Sequence, residues 1–419
     1  MDLYYQTLIN MVTRCRICGS NNLFEFLDLG FTPPADQFLR EDQLSQPETY
    51  YPLKVLMCKE CSLAQLSYVV PGEVLYRRDY PYESSMTQSG QLHWDEFAES
   101  VCKNYSIKEG DLVVDIGSNV GVLLGSFEKQ GANTLGIDPA SNIVRIAEKK
   151  GIETWDEFFS PRIAKKVVEE KKTASVITAT NVFAHVDDLK SFMEAVDILM
   201  SKNGVFIFEA PYFGNLVNFL EYDTIYHEHL SYLLLEPIIK LAKQFGMEVS
   251  DVLERDIHGG SFRVFISRIG ERAINQRVAS FLKREKDSEW SCPKSLSKFS
   301  KKVKRNREEL VSMLNSLKIS GKKVAAVSAP AKGMTLLNYC RIGTETLEFV
   351  TEKSKLKIGR HCPGVHIPVV GDDSLIANRI DYALLLAWNF SEEIMNNLKE
   401  FKENGGKFII PIPHPIIIG

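Results

Sequence analysis

The stretch whose reading decides the fold is Leu112-Val113-Val114-Asp115-Ile116-Gly117-Ser118-Asn119-Val120-Gly121-Val122-Leu123-Leu124. Its opening apolar run, Leu112 to Val114, predicts a buried strand that ends in Asp115. A turn holding Gly117 and Gly121 follows, and the apolar spacing from there to Phe127 predicts a helix. A second apolar run, Thr134 to Ile137, ends in Asp138-Pro139. Strand, glycine-bearing turn, helix, strand and acid make up one nucleotide-binding half of a doubly wound sheet. In such a half the glycines let a ligand approach the backbone, and the acid accepts from ribose hydroxyls.

The spacing Gly117-x-x-x-Gly121 departs from G-x-G-x-x-G, so a dinucleotide is the weaker reading. Asp115-x-Gly117-x-x-x-Gly121 instead resembles the first motif of the Rossmann-like methyltransferases, which bind S-adenosylmethionine. That likeness implies that Asp115, Gly117, Asn119 and Gly121 pass the amino-acid end of the cofactor while Asp138 takes the ribose. An ordinary ligand-free α/β turn and another nucleotide are the competing readings.

Composition sets the frame. A chain of 419 residues with 44% hydrophobic content has room for two or three domains with substantial cores. A net charge of −4 argues against electrostatic capture of nucleic acid. No run approaches a membrane span and no charged-then-apolar leader is seen, so the expectation is a cytoplasmic protein without membrane partners, a monomer or weak oligomer. Eight cysteines in such a chain read as thiols or metal ligands rather than disulfides.

Taken in order, the chain first offers Cys15-x-x-Cys18 and Cys58-x-x-Cys61. Two such knuckles supply four thiolates to one point, the ligand set of a closed, structural tetrahedral zinc site. A redox role is weaker, because neither pair opens a helix in a βαβ pattern. Next, from Val69 to Gln91, comes a connector with Tyr80 and Tyr82, tyrosines that line a pocket or pack one domain on another. A helix from Leu92 to Tyr105 leads into the nucleotide domain. Helices are expected at 141–150, 160–171 and 188–200, with strands at 174–179 and 204–209. Asn181 and His185 follow the first of these strands, on the edge of an open sheet that faces a ligand crevice.

Beyond the strand at 204–209 stands Tyr222-Asp223-Thr224-Ile225-Tyr226-His227-Glu228-His229. Ser231 rules out H-E-x-x-H and its helical zinc geometry. Acid–base machinery is the preferred reading; a metal held by His227 and His229 and an internally satisfied polar loop are the others. A helix at 236–245 and strands at 248–253 and 261–269, turning at His258-Gly259-Gly260, complete a seven-stranded sheet whose last strand is antiparallel. The charge-dense residues 271–318 read as a helical, solvated connecting segment. From Lys322 the α/β pattern restarts: strand 324–327, a turn through Lys332-Gly333, helix 334–340, then strands at 347–350, 382–386 and 408–410 and a helix at 391–403.

These motifs together carry a family likeness. The paired knuckles, Asp115 to Gly121, Asn181 to His185, Tyr226-His227-Glu228-His229, His258-Gly259-Gly260 and Ala329-Pro330-Ala331-Lys332-Gly333 occur in this order. The chain resembles the S-adenosylmethionine-dependent C-methyltransferases of nucleotide-linked deoxysugar biosynthesis over nearly its whole length. The resemblance implies an α/β protein in three parts. These are a zinc-binding module (1–72), a Rossmann-like methyltransferase sheet (73–272) and a smaller C-terminal Rossmann-like domain (273–419) that completes the sugar-nucleotide site. It implies methylation of the carbon beside the C4 ketone of a dTDP-4-keto-6-deoxysugar, most often C3 and in some members C5. By position, His229 becomes the base, and Tyr226, Glu228, His185, Tyr80 and Tyr82 surround the sugar. Asn181 joins the cofactor residues, and His227 and Lys332 the substrate residues. Ser328 and Met334 depart from the family pattern, which has Gly and Asn there. The chemistry agrees independently: a carbon α to a ketone is acidic enough for a histidine when the enolate oxygen is stabilised. O- or N-methylation of another small metabolite, or a non-catalytic binding protein, are the readings from other classes.

Overall fold

The computed structural model describes residues 10–76, 88–256 and 259–419. Three sheets organise them. The N-terminal one begins with β1 (Leu23–Thr32), β2 (Tyr51–Cys58) and β3 (Ala64–Leu66), paired antiparallel in that order. Along β2 the buried Leu53, Val55 and Met57 alternate with less buried positions, the two-residue period of a strand with one face on a core.

The central sheet is built from β4 (Leu112–Ile116), β5 (Asn133–Asp138), β6 (Thr154–Asp156), β7 (Ala174–Thr180) and β8 (Met200–Pro211), all parallel. The next strand, β9 (Ser231–Tyr232), leaves this sheet and pairs with β3 as the fourth strand of the N-terminal one. The chain then returns for β10 (Met247–Arg255) and β11 (Ser261–Arg268), and β11 inserts antiparallel between β10 and β8. The resulting order is β10-β11-β8-β7-β4-β5-β6. β4 is buried at all five positions, as a parallel strand covered by helices on both faces must be. The order reverses direction between β4 and β7, and the strand ends on either side of that point open the crevice where ligands bind in sheets of this kind.

The third sheet holds β12 (Val324–Val327), β13 (Val350–Thr351), β14 (Val369–Val370), β15 (Tyr382–Leu385), β16 (Lys407–Ile410) and β17 (Ile416–Ile418) in the order β14-β13-β12-β15-β16-β17. Only β17 runs antiparallel to its neighbour. Three expectations need correction here. The strand expected at 347–350 lies at Val350–Thr351, with Leu347 buried ahead of it. The single helix expected at 391–403 is two, Ser391–Asn397 and Lys399–Glu403.

The third correction is the larger one. Residues 271–318 are not merely a solvated connector: they form helices Gln276–Ser288 and Pro293–Ile319. The longer helix buries Leu296, Phe299, Val303, Leu310 and Leu314, one stripe at spacings of three and four. Asn306 lies in that stripe, accepting from the Tyr222 hydroxyl at 2.8 Å and donating to the carbonyls of Pro411 (2.8 Å) and Pro413 (3.0 Å). The charges between the stripe positions hide it from a reading by composition. Among the described residues no helix is long and apolar enough to cross a membrane.

Candidate active site

The two cysteine knuckles repeat one local structure. The amides of Cys15 and Cys58 donate to Ser20 and Leu63 (2.8 and 2.9 Å), and the amides of Gly19 and Ser62 donate back to Cys15 and Cys58 (2.9 and 3.0 Å). Gly19 and Ser62 both take left-handed backbone, φ 72° and 63°, which closes each knuckle. The four sulfurs lie within 4.8 Å of one another, with Cys15–Cys61 at 3.4 Å and Cys18–Cys58 at 3.5 Å. A zinc ion about 2.3 Å from each thiolate asks for sulfurs about 3.8 Å apart, so the set fits a closed tetrahedral site.

At the C-terminal ends of β4, β5 and β7 the residues expected to hold the cofactor come together. Burial pushes the Asp115 carboxyl up to about 7, and its Oδ1 accepts from Thr178 Oγ1 at 2.6 Å. Gly117 has φ 65°, and a Cβ there would lie 2.3 Å from Val182 Cγ2, so only glycine fits. Asp138 holds the turn: Oδ2 accepts from the Asn119 amide and Oδ1 from the Ala140 amide, both at 2.9 Å. Each carboxylate oxygen keeps a second lone pair for a ribose hydroxyl. Burial raises the Asp138 pKa, against the pull of those two amides. Asn119 and Asn181 sit in left-handed backbone, φ 50° and 56°, and the Asn181 amide donates to Glu209 O at 2.8 Å. The buried Ser118 Oγ has no partner among the described residues, a polar atom left for a ligand to satisfy. The turn therefore fits S-adenosylmethionine.

The segment 220–235 is buried throughout except for the half-buried Tyr226. A backbone bond from the His229 amide to Tyr226 O (3.0 Å) curls the motif so that residues three apart meet. His229 Nδ1 lies 2.7 Å from the Thr224 carbonyl, which only accepts, so Nδ1 carries the hydrogen. Nε2 is thereby the basic nitrogen, and the Tyr226 hydroxyl donates to it at 2.8 Å. The His185 ring stands 5.0 Å from that of His229, and Tyr76 stacks on His185 at 6.2 Å. Burial holds His185 well below the usual imidazole range, and its Nε2 has no partner among the described residues.

Glu228 points elsewhere in the same buried region. Burial, with the charge of Asp36 adding to it, pushes its carboxyl up to about 8, so it carries a proton at neutral pH. Near it, Lys357 reaches across from the C-terminal part, donating to Ala329 O at 2.7 Å and pairing with Asp36 at 3.3 Å. His227 turns to the N-terminal sheet, edge-on to Tyr51 at 5.8 Å, and burial pushes it down to about 4. Lys332 lies in the first turn of the helix Ala331–Cys340 and is half-buried. It donates to Asn389 and lies 4.3 Å from the Trp388 ring centroid. Burial lowers its pKa, while the nearby Asp223 and Glu221 raise it. Tyr80, Tyr82 and His258 lie outside the described residues.

Several polar groups in this region escaped the sequence reading. Tyr76, Asp36, Lys357 and Trp388 carry no motif of their own. Trp388 Nε1 donates to Asp223 Oδ2 at 2.7 Å, leaving Oδ1 buried without a partner among the described residues. At the end of β8 the fully buried Glu209 pairs with Arg263 and with His93 (3.0 Å). Its place at a strand's C-terminal end was the one signal available.

Comparison with known proteins agrees with this architecture. A zinc-binding-domain profile matches residues 15–76, a methyltransferase-domain profile 94–252, and a C-methyltransferase C-terminal-domain profile 256–413. The chain is 33% identical over 414 residues to C-methyltransferase NovU of Streptomyces niveus, covering 99% of this chain and 98% of that one. A ubiquinone biosynthesis O-methyltransferase of Colwellia psychrerythraea is 30% identical over 98 residues, 23% of this chain and 40% of that one. Among solved structures, a magnesium protoporphyrin IX methyltransferase from Synechocystis with bound S-adenosylhomocysteine overlaps 46% of this chain and 91% of its own. That overlap has a TM-score of 0.35 and 15% identity. The chain belongs to the C-methyltransferase family that carries an N-terminal zinc-binding domain. It is an S-adenosylmethionine-dependent C-methyltransferase with an N-terminal zinc-binding domain, in which Cys15, Cys18, Cys58 and Cys61 cluster in a set that fits one zinc ion.

Proposed function

We propose that this enzyme methylates the carbon next to the ketone of a nucleotide-linked 4-keto-deoxysugar, carried on dTDP and modified at C3. The observation that carries the proposal is the fixed tautomer of His229, with Nδ1–H held by Thr224 O and the basic Nε2 presented beside the Tyr226 hydroxyl. C-methylation needs a carbanion, and a base of this form takes the proton from a carbon made acidic by a neighbouring carbonyl. The sugar and its nucleotide rest on the motif likeness described above.

In this reading His229 Nε2 removes the proton from C3 and the C–H electrons move into the C4 carbonyl as an enolate. Tyr226, whose hydroxyl lies beside Nε2, is the donor proposed for the enolate oxygen; His185 borders the sugar, Glu228 keeps its place toward Asp36, and the family likeness adds Tyr80 and Tyr82. Asp115, Gly117, Asn119, Gly121, Asp138 and Asn181 hold S-adenosylmethionine, which supplies an electrophilic methyl group when bound. Lys332, half-buried beside Trp388, serves the diphosphate together with the first turn of its helix. His227 acts from behind the motif as a packing partner of Tyr51. The site works in the cytoplasm on a small soluble substrate.

The test separates deprotonation from transfer. Wild-type enzyme with S-adenosylhomocysteine and a dTDP-4-ketosugar in deuterated water is expected to wash deuterium into the carbon beside the ketone. His229→Asn keeps a hydrogen bond but offers no base near neutral pH, and should lose exchange and methyl transfer together, by about 100- to 10,000-fold. Methyl transfer to oxygen with no carbon exchange would defeat the proposal. A mass-shift screen of dTDP-, GDP- and CDP-linked ketosugars assigns the nucleotide.

A further inference from the structure

Arg16 lies inside the first knuckle, between Cys15 and Cys18, yet its side chain reaches residues far along the chain, Asp187 and Leu230. It is 4% exposed, and its Nε donates to Asp187 Oδ1 at 3.1 Å. Its Nη1 donates to Gln65 Oε1, Leu66 O and Leu230 O, each at 3.3 Å. Gln65 is fixed in turn, its Oε1 accepting from the Arg16 amide at 3.1 Å and its Nε2 donating to Arg14 O at 3.3 Å. Leu230 follows His229 directly, and Asp187 stands two residues beyond His185. The backbone repeats the connection: the Leu66 amide donates to Leu230 O at 3.0 Å, and β3 pairs with β9.

We infer that Arg16 is a positioning residue for methyl transfer, coupling the metal-held knuckle to the two loops that present His185 and His229. Burial makes each hydrogen bond of a guanidinium count, and its planar geometry fixes the directions in which the acceptors of Nε and Nη1 stand, while the buried Nη2 has no partner among the described residues. Here the acceptors come from three separate segments, two of which flank the paired histidines. Ordering the knuckle therefore sets the spacing of the loops, and misplacing a base by about 1 Å costs up to about 100-fold in rate. The zinc site so becomes part of the support of the catalytic groups as well as of the N-terminal fold. This rests on the reading of His229 given above.

The test uses the full zinc-loaded chain and two variants. Arg16→Lys keeps the charge and loses the fork; Asp187→Asn removes the counter-charge without touching the knuckle. Both are expected to retain about one zinc per chain and wild-type affinity for S-adenosylmethionine by calorimetry. kcat should fall by about 10–100-fold, less for Asp187→Asn, with KM little changed. Hydrogen exchange followed by mass spectrometry should show faster exchange in peptides spanning 183–188 and 224–233, and removing zinc from the wild type with a chelator should speed the same peptides. Zinc-loaded variants with wild-type kcat and wild-type exchange overturn the inference. If Arg16→Lys fails to fold, Asp187→Asn decides. If the wild type does not turn over ketosugars, the proposed substrate is wrong and the exchange measurements still judge Arg16.

Discussion

Glu228 makes the energetics of the buried motif measurable. Its carboxyl is raised from an ordinary 4.5 to about 8, first by burial and then by Asp36, with Lys357 pulling the other way. In the unfolded chain this group ionises near 4.5, whereas in the folded protein it keeps its proton until about 8. Between those values the folded state binds one more proton than the unfolded, so stability falls as pH rises, by about 1.4 kcal/mol per unit. Across the window of about 3.5 units the loss approaches about 5 kcal/mol, an upper figure for a single group. Glu228→Gln has the same shape and never ionises, so it escapes this loss. Urea denaturation of wild type and variant at pH 5, 6.5 and 8 should show nearly equal midpoints at pH 5 and a growing advantage for the variant by pH 8. Glu221 and Asp115, also raised by burial, cancel in the difference between the two proteins. A pH-independent difference would mean that Glu228 is ionised in the folded state and that burial beside Asp36 does not hold its proton.

Two further substitutions probe the central sheet. Asp138→Ala removes the acceptor of two turn amides and, in the proposed site, of the ribose, and should weaken S-adenosylmethionine binding by about 1–3 kcal/mol in calorimetry; unchanged affinity would place the ribose elsewhere. Glu209→Ala strands the buried Arg263 without its partner and should lower stability by about 3–5 kcal/mol in chemical denaturation, and a loss below about 1 kcal/mol would show that water or another group reaches the guanidinium.

The central sheet was legible because its parallel strands are short apolar runs and its helices keep a 3.6-residue period. The cofactor turn was legible because glycine at φ 65° and an acid at the next strand's end have few substitutes. The pairing of β9 with β3 was not, since two residues carry no periodicity and their partners lie 166 and 168 positions away. Nor was the direction of each side chain in the motif at 226–229. Tyr226 and His229 meet only because a backbone bond curls the segment, which sends His227 to Tyr51 and Glu228 toward Asp36. Contacts such as Asp36 with Lys357 join residues 321 positions apart, beyond any local signal.

The route of β9 also bears on how the protein is made. Ribosomes add about 5–20 residues per second, so roughly ten to thirty seconds separate the emergence of β3 from that of its last neighbour. Through that interval the nascent N-terminal sheet carries an open edge of unpaired amides and carbonyls beside Leu63 and Leu66, the sort of edge that recruits stray strands. Early metal capture by the two knuckles would hold that edge in shape until Ser231 and Tyr232 arrive to close it. Zinc supply during synthesis thus becomes a determinant of yield, and starving cells of it should send newly made chains into aggregates while leaving finished molecules untouched.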